Sequence, residues 1–577
     1  MALKNSTVVV SLIIMAVLQG CGSASSRPDP LRSGAPQQSA AQSQRPAVPK
    51  RIVVALKDDV PGLSEKVRIG PGSGIYIAEH IVNAGLGFMD NNGTMQPQTA
   101  EQVPTLENGL WKVNPDGTME TAWRIKPAAK WHDGTPFTSA DLVFTANLER
   151  DPQVPFAGRN VGWASVEAIE TPDPQTITVR WKQPYIEADQ LFGQRFGMPV
   201  AKHRLETAYA ENNTAILQNS YWTTDYVGLG PFKLKEYVSG SHFVVTANDD
   251  YVLGRPKLDE MEIRMIQDGN SLLANVLSGA VDLHLGPGLS IEQGVETRNQ
   301  WRDGRMEPAP ANWLVIHPQL LGPTPAVVGN LQFRRAMLHA IDRQQLVDSL
   351  QFGLTSVAHS FLQPNQPQNR EIEAQLPRYE FEPRRAEQMI GDLGYTKASD
   401  GFFRDAGGER LSVELRTTAQ VDLQPAAQLI IADSWQRTGV AVEQMMIPVQ
   451  RIREAPFRAT FSSFELLNGP PNGEEGLGSL HGSRTRLPEN NFIGSNYSRY
   501  QNPEFDALLD RYFTTIPKQE RARALGAVIQ HIAENLNEMG LIHIARPVLI
   551  SNRLVNAGPN ASTLTTEAWN VHLWDLK

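Results

Sequence analysis

The stretch "NGLWKVNPDGTMETAWRIKPAAKWHDGTPFTSADLVFT", residues 108–145, joins a hairpin, a turn and a helix start in one block. Thr138 and Asp141 have the spacing of a capping box ahead of the apolar "LVFTANL", so a helix begins there. His132 and Asp133 precede it in "KWHDGTPF". Adjacent residues on a strand or turn point apart, so this pair is read as turn chemistry and not as an acid–base couple. Trp111 and Trp123 are placed as packing residues of the hairpin.

On either side of this block, helix and strand patterns alternate. "RIVVAL" (51–56) is a short β-branched run and predicts a buried strand. "GPGSGIYIAEHI" (70–81) passes from a glycine loop into a helix. No Gly-Lys-Ser/Thr follows and Gly-x-Gly-x-x-Gly is absent, which argues against a nucleotide cofactor. "TITVRW" (176–181) alternates as a strand, and "GPFKLKEYVSGSHFVVTAN" (230–248) predicts a hairpin turning at Ser239-Gly240-Ser241. Phe333, Met337 and Ile341 form one helical stripe, and Asp342 with Gln345 caps a second helix that stops before Gly353. Pro383 suits a helix first turn and Gly394 its end. "AAQLIIADSWQRTG" (426–439) is helical, "VAVEQMMIP" a strand, and Asn502-Pro503 opens a last clear helix. Such alternation predicts α/β layers.

Composition narrows the function classes. The chain has 577 residues, a net charge of −9 and no dense Lys/Arg run, which argues against a nucleic-acid partner. It has one cysteine, Cys21, so there is neither a disulfide framework nor a paired-cysteine zinc site. Lys4 supplies a basic start, and Val8–Leu18 is apolar but too short to span a bilayer. Leu18-Gln19-Gly20-Cys21 resembles the lipobox of bacterial lipoproteins. That resemblance implies cleavage after residue 20, lipidation of Cys21 and an extracytoplasmic protein anchored to the membrane. A plain secretory signal is the competing reading. Residues 21–49, rich in Ser, Gln, Ala and Pro, cannot bury a core and are expected to be a disordered tether.

Catalytic and metal motifs are absent. There is no Gly-x-Ser-x-Gly, no penicillin-recognising Ser-x-x-Lys and no His-Glu-x-x-His, and the histidines lack metal-ligand spacing. Glu474 and Glu475 lie in the Gly/Pro-rich "NGPPNGEEGLGSLHG" and are expected to be solvated. The chain is expected not to be an enzyme, and neither a metal nor a cofactor is expected.

Five blocks, taken in order, resemble the extracellular solute-binding proteins of ATP-binding-cassette importers, family 5, the group with peptide- and nickel-binding members. They are residues 108–145, "VGLGPFKLKEYVSGSHFVVTANDDYVLGRPKLDEMEIRMI" (227–266), "LQFRRAMLHAIDRQQLV" (331–347), "YEFEPRRAEQMIGDLGY" (379–395) and "GSNYSRYQNPEFDALLD" (494–510). One departure is "METAWRIK", where the family pattern has an aromatic and a Leu-Arg pair. The resemblance implies a two-lobed periplasmic-binding-protein fold, type II-like, with an extra subdomain. Lobe I would span 50–307 and lobe II 313–535, with 536–577 returning to lobe I. "MEPAPANWLVIHP" (306–318) would carry the first crossover. It further implies a monomer that closes on a small-molecule or peptide ligand and delivers it to an ABC permease and ATPase complex. A lipid-anchored hydrolase with a dispersed site, or a sensor or chaperone receptor without a transporter, are the alternatives.

The same resemblance points to a ligand loop, "FSSFELLNGPPNGEEGLG" (461–478). Phe464 occupies its aromatic place, while the aspartate used for a peptide amine falls near Leu467. Glu465, Glu474 and Glu475 are candidate substitutes. The arginine used for a peptide carboxylate is missing after Arg416. Free dipeptides are therefore expected to be poor ligands, since a buried ammonium without a carboxylate is costly. The candidate ligand residues are Phe464; Trp313, which would either stack on ligand or fill interlobe core; Asn468, a hydrogen-bonding or turn residue; and Ser73 and Tyr76 of the glycine loop.

Overall fold

The computed structural model describes residues 48–68, 74–156, 160–419, 423–469, 473–561 and 565–577. The chain divides into a unit of residues 1–48 and a compact unit of residues 49–577. The leader, Cys21, most of the 21–49 tether and Ser73 lie outside the described residues.

The second unit is built on one ten-stranded sheet. One half centres on Arg51–Leu56, which pairs in parallel with Glu260–Met265 and Leu283–Leu285. The hairpin Phe232–Val238 and His242–Ala247 extends this half to the sheet edge. The other half centres on Ser412–Thr417, parallel to Ala441–Met446 and Phe464–Asn468. Two long strands, Gly304–Pro318 and Met539–Ser551, join the halves as an antiparallel pair. The first also pairs with Phe464–Asn468, and the second with Leu283–Leu285. The block at 306–318 therefore lies inside the first of these crossing strands.

Strand alternation explains how the crossing strand serves two cores. Successive side chains point to opposite faces. Leu314 and Ile316 enter one cluster with Phe333, Met337 and Trp435, while Trp313 and Val315 enter another with Phe361, Leu509 and Ile529. A third cluster fills the first half and contains Trp123, Trp181, Trp222 and Phe243.

The block at 108–145 forms as its residues suggest. Trp111–Val113 and Met119–Arg124 pair antiparallel in a separate four-stranded sheet with Thr176–Trp181 and Val166–Asp173. Trp111 and Trp123 are buried in its core. Asp141 accepts from the Thr138 backbone N–H at 3.0 Å, opening the helix Ser139–Arg150. His132 and Asp133 diverge: the imidazole meets Gly230 O at 3.1 Å, whereas the carboxylate reaches His203 at 2.7 Å.

The other helix signals are met at Leu331–His339, Arg343–Gln351, Pro383–Asp392, Leu423–Thr438 and Pro503–Thr514. Asp342 and Asn502 accept from the backbone N–H groups of Gln345 and Phe505 as N-caps. One expectation is corrected: Glu474 and Glu475 do not lie in a solvated loop. They open a 3₁₀ segment, Glu474–Leu480, whose Leu477 and Leu480 are buried beside Phe505 and Tyr512.

Candidate functional site

Two segments meet the crossing strand around Trp313, and a third adjoins the second of them. The first is the end of Phe464–Asn468, where Gly469 N–H donates to Trp313 O at 2.9 Å. The second is the turn from Ser360 to Asn369, whose Phe361 ring meets Trp313 edge-on at 5.1 Å. Gln363 Nε2 in that turn donates to Ala311 O at 3.3 Å, so the turn runs along the strand. The third begins at Gly473, where an added Cβ would lie 2.9 Å from Gln366 Nε2.

Trp313 is buried, and its ring lies between two glycines. A Cβ at Gly469 would come within 2.7 Å of Nε1, and one at Gly540 within 2.6 Å of Cζ3. The ring also borders a small cavity of about 20 Å³ shared with Arg343, His359 and Glu538. Arg343 lies at the helix start following Asp342 and donates to Ala358 O, Gly540 O and Tyr379 O. Its guanidinium is thus spent on backbone carbonyls. Asn468 pairs with Leu314 across the sheet and is half-buried, with Oδ1 unpartnered.

Phe464 has no exposed surface. It packs on Trp435 at 5.1 Å, inside the cluster on the opposite face from Trp313. Strand alternation places Phe464, Leu466 and Asn468 on one face, and the sheet interior claims the first two. In this conformation the Phe464 ring is a packing residue and not a ligand surface.

The charged groups near this loop are already engaged. Glu465 is fully buried between Arg416, at 3.2 Å, and Arg458, at 2.5 Å. Arg416 also donates to Phe457 O and Arg458 O and lies over the Phe461 ring at 4.6 Å. Glu474 accepts from the Tyr512 hydroxyl, and burial raises its pKa above the usual carboxylate range. Neither Arg416 nor Glu465 is therefore placed to hold a free peptide terminus.

Tyr76 lies elsewhere, on the helix Gly74–Val82 beside Glu65 and Arg68. Burial pushes the Glu65 carboxyl up to about 7, although the Tyr76 hydroxyl donates to it. A cavity of about 40 Å³ adjoins these residues, lined by Glu65, Lys66, Glu79 and Glu149. Lys66 is buried and meets Glu149 at 2.8 Å. Asn468 pairs with Leu314, the residue after Trp313, so its side chain projects from the sheet face opposite the indole, and Tyr76 lies apart from both. Gln366 was not singled out from sequence; the Asn- and Gln-rich "SFLQPNQPQN" (360–369) is the signal that marks it.

Among the described residues, no group of His, Cys, Asp and Glu is arranged to hold a metal ion. No described helix is long and apolar enough to cross a membrane.

Residues 97–477 match the family model described as bacterial extracellular solute-binding proteins, family 5 Middle. A Brucella ovis protein described as an ABC transporter peptide-binding protein is 28% identical over 290 residues, 50% of this chain and 51% of that protein. The chain thus spans about half the length of the Brucella relatives it matches. The oligopeptide-binding protein AppA of Bacillus subtilis is 22% identical over 476 residues, 79% of this chain and 80% of AppA. The solved structure of HbpA2 from Haemophilus parasuis superposes with a TM-score of 0.72 at 18% identity, covering 91% of this chain and 100% of that one. The family is described as solute-binding, and the Brucella and Bacillus relatives as peptide-binding and oligopeptide-binding proteins.

Proposed function

The chain belongs to the bacterial extracellular solute-binding proteins of family 5, and from that premise we propose that it captures a small solute by hinge closure and delivers it to an ABC permease. The observation that carries this reading is the long antiparallel pair Gly304–Pro318 and Met539–Ser551, the link between the two halves of the sheet. Bending there lets the halves open and close while each keeps its own core. A ligand drives closure only by the difference in its affinity for the two states. The proposed lobes are 50–307 and 313–535, with 536–577 returning to the first.

The proposed solute is peptide-like or otherwise polar. AppA is named for oligopeptides, and its solved structure holds a nonapeptide. Trp313, Asn468, Ser73 and Tyr76 are the proposed contacts, with Phe464 backing the strand that presents Asn468. The protein is proposed to act as a monomer held at the membrane by lipid on Cys21, with no nucleic-acid partner. Two or more acyl chains anchor stably, because each buried CH₂ contributes about 0.8 kcal/mol.

Thermal shift of the full chain against peptides, oligosaccharides, opine-like amines and metal chelates tests the reading. A true ligand held at about 100 times its Kd stabilises by about 2.7 kcal/mol. A panel without any shift overturns the receptor assignment. Separately, Cys21→Ser is expected to release the protein from membranes, and unchanged retention refutes the anchor.

A further inference from the structure

The two halves also meet away from the crossing strands. Ile516 lies between the helices Pro503–Thr514 and Lys518–Asn535, which build the cluster of Phe505, Leu509 and Ile529. Its own side chain is instead buried in the cluster of Trp123 and Trp181. Ile186, just before the short segment Ala188–Gln190, packs against both clusters. Each isoleucine thus reaches across from one half to the core of the other.

The rim of this contact is charged. Arg521 is fixed at the contact itself, because its Nη1 donates to Ile516 O at 3.2 Å. From the other half come Glu187, which accepts from the Tyr185 hydroxyl at 2.8 Å, and the half-buried Asp189. Glu474, held by Tyr512, lies on the Arg521 side.

Burial dominates at two of these carboxyls. It pushes Asp189 up to about 6 and raises Glu474 above the usual carboxylate range. Arg521 pulls both back down, one from each half, and the Tyr512 hydroxyl does the same at Glu474. Glu187 works against it at both, and Glu475 at Glu474. Lys518 also lowers Asp189, but it is exposed and shares its charge with Glu107. Several carboxylates therefore lean on one sheltered guanidinium.

Separating the halves returns water to these carboxyls, and their ordinary acidity returns with it. The closed form then has the higher carboxyl pKa. Between about pH 4 and 6 it holds protons that the open form has released. Closure is favoured as pH falls through about 6, and above that it carries the full cost of the crowded charges.

We infer that Ile186 and Ile516 form a latch between the halves, gated by the charges around Arg521, and that proton uptake by Asp189 and Glu474 tightens it. This rests on the hinge-closure reading above and adds to it a control by pH.

The test needs no solute. Cys21 is the only cysteine, so Cys21→Ser with Lys112→Cys and Arg437→Cys gives the full chain one dye site on each half. Both sites are exposed. Single-molecule energy transfer reads the inter-dye distances and their populations. Two populations are expected, and the shorter-distance one should gain on the longer by up to about tenfold between pH 7 and 5. Asp189→Asn mimics the protonated group, so it should raise the closed share at pH 7 and flatten the rise toward pH 5. Arg521→Gln removes the shared cation. It should lower the closed share at pH 7 by about two- to fivefold, with a smaller gap at pH 5. Ile186→Ala should lower it at both. Urea midpoints of each variant separate opening from a folding defect. Two populations whose ratio ignores pH, or a loss of closure in Asp189→Asn, overturn the latch and leave hinge closure standing. A single distance in every variant at both pH values overturns both.

Discussion

Trp313 and Gly469 touch across the sheet: the glycine N–H donates to the tryptophan carbonyl at 2.9 Å, and the indole Nε1 occupies the space a Cβ would need. Gly469→Ala would place its methyl 2.7 Å from both Trp313 Nε1 and Val315 Cγ1. The tryptophan is held on its other side by Gly540, so it cannot retreat freely. Overpacking of this kind costs about 1–3 kcal/mol. Urea unfolding should show that loss; a neutral Gly469→Ala would mean the indole moves aside at no cost.

The triad Arg416–Glu465–Arg458 carries the next prediction. Removing one partner of a buried pair destabilises by about 3–5 kcal/mol, because the remaining charge is uncompensated. Arg416→Met also abandons the carbonyls of Phe457 and Arg458. Denaturant unfolding is expected to show a loss in that range. A loss below about 1 kcal/mol would assign the neutralisation of Glu465 to Arg458 alone.

Ile186 and Ile516 bridge two cores, Ile186 packing against both clusters. Ile516, between two helices of the second half, is buried in the cluster that fills the first, and Ile186 packs against the cluster containing Phe505 and Leu509. Their contacts join the halves away from the crossing strands. Ile516→Ala is expected to destabilise by about 2–5 kcal/mol as a buried truncation. If closure depends on this contact, the same variant also binds solute more weakly. Unchanged stability in denaturant would show that the contact is not maintained in solution.

His284 sits wholly buried in the strand Leu283–Leu285, and burial holds its pKa down to about 4. In the unfolded chain a histidine titrates near 6.5, so the unfolded state binds the proton first. Its contribution is therefore present above about pH 6.5 and is lost as pH falls toward about 4. Glu65, raised to about 7 by burial, runs the opposite way, so total stability mixes both signs. The difference between wild type and His284→Leu isolates one group. Wild type should lose more stability between pH 7 and 5, read from urea midpoints. Parallel curves would contradict the assignment.

Much of the fold was legible because its signals are local. The caps at Thr138, Asp342 and Asn502 and the run at 51–56 each act within a few residues, and each element forms there. The pairing of Gly304–Pro318 with Met539–Ser551 joins residues more than two hundred positions apart, and no local pattern specifies it. The resemblance implies a first crossover at 306–318 but names no partner strand for it. The site was less legible. Phe464 could not be told from a ligand-facing aromatic until strand alternation set it against Trp435. Gln366 is polar in a polar turn, and only the orientation imposed by Gln363 leaves its amide nitrogen bare. Glu474 looked solvated because its neighbours are glycines and prolines, whereas its partner Tyr512 lies 38 positions away.

The central claim is capture by closure about the crossing strands. Small-angle X-ray scattering of the full chain, with and without the solute that gives the largest thermal shift, tests it most directly. A lower radius of gyration at saturation, with the solute recovered chemically unchanged, is the predicted result. Superimposable scattering curves, or a solute returned as product, would contradict it.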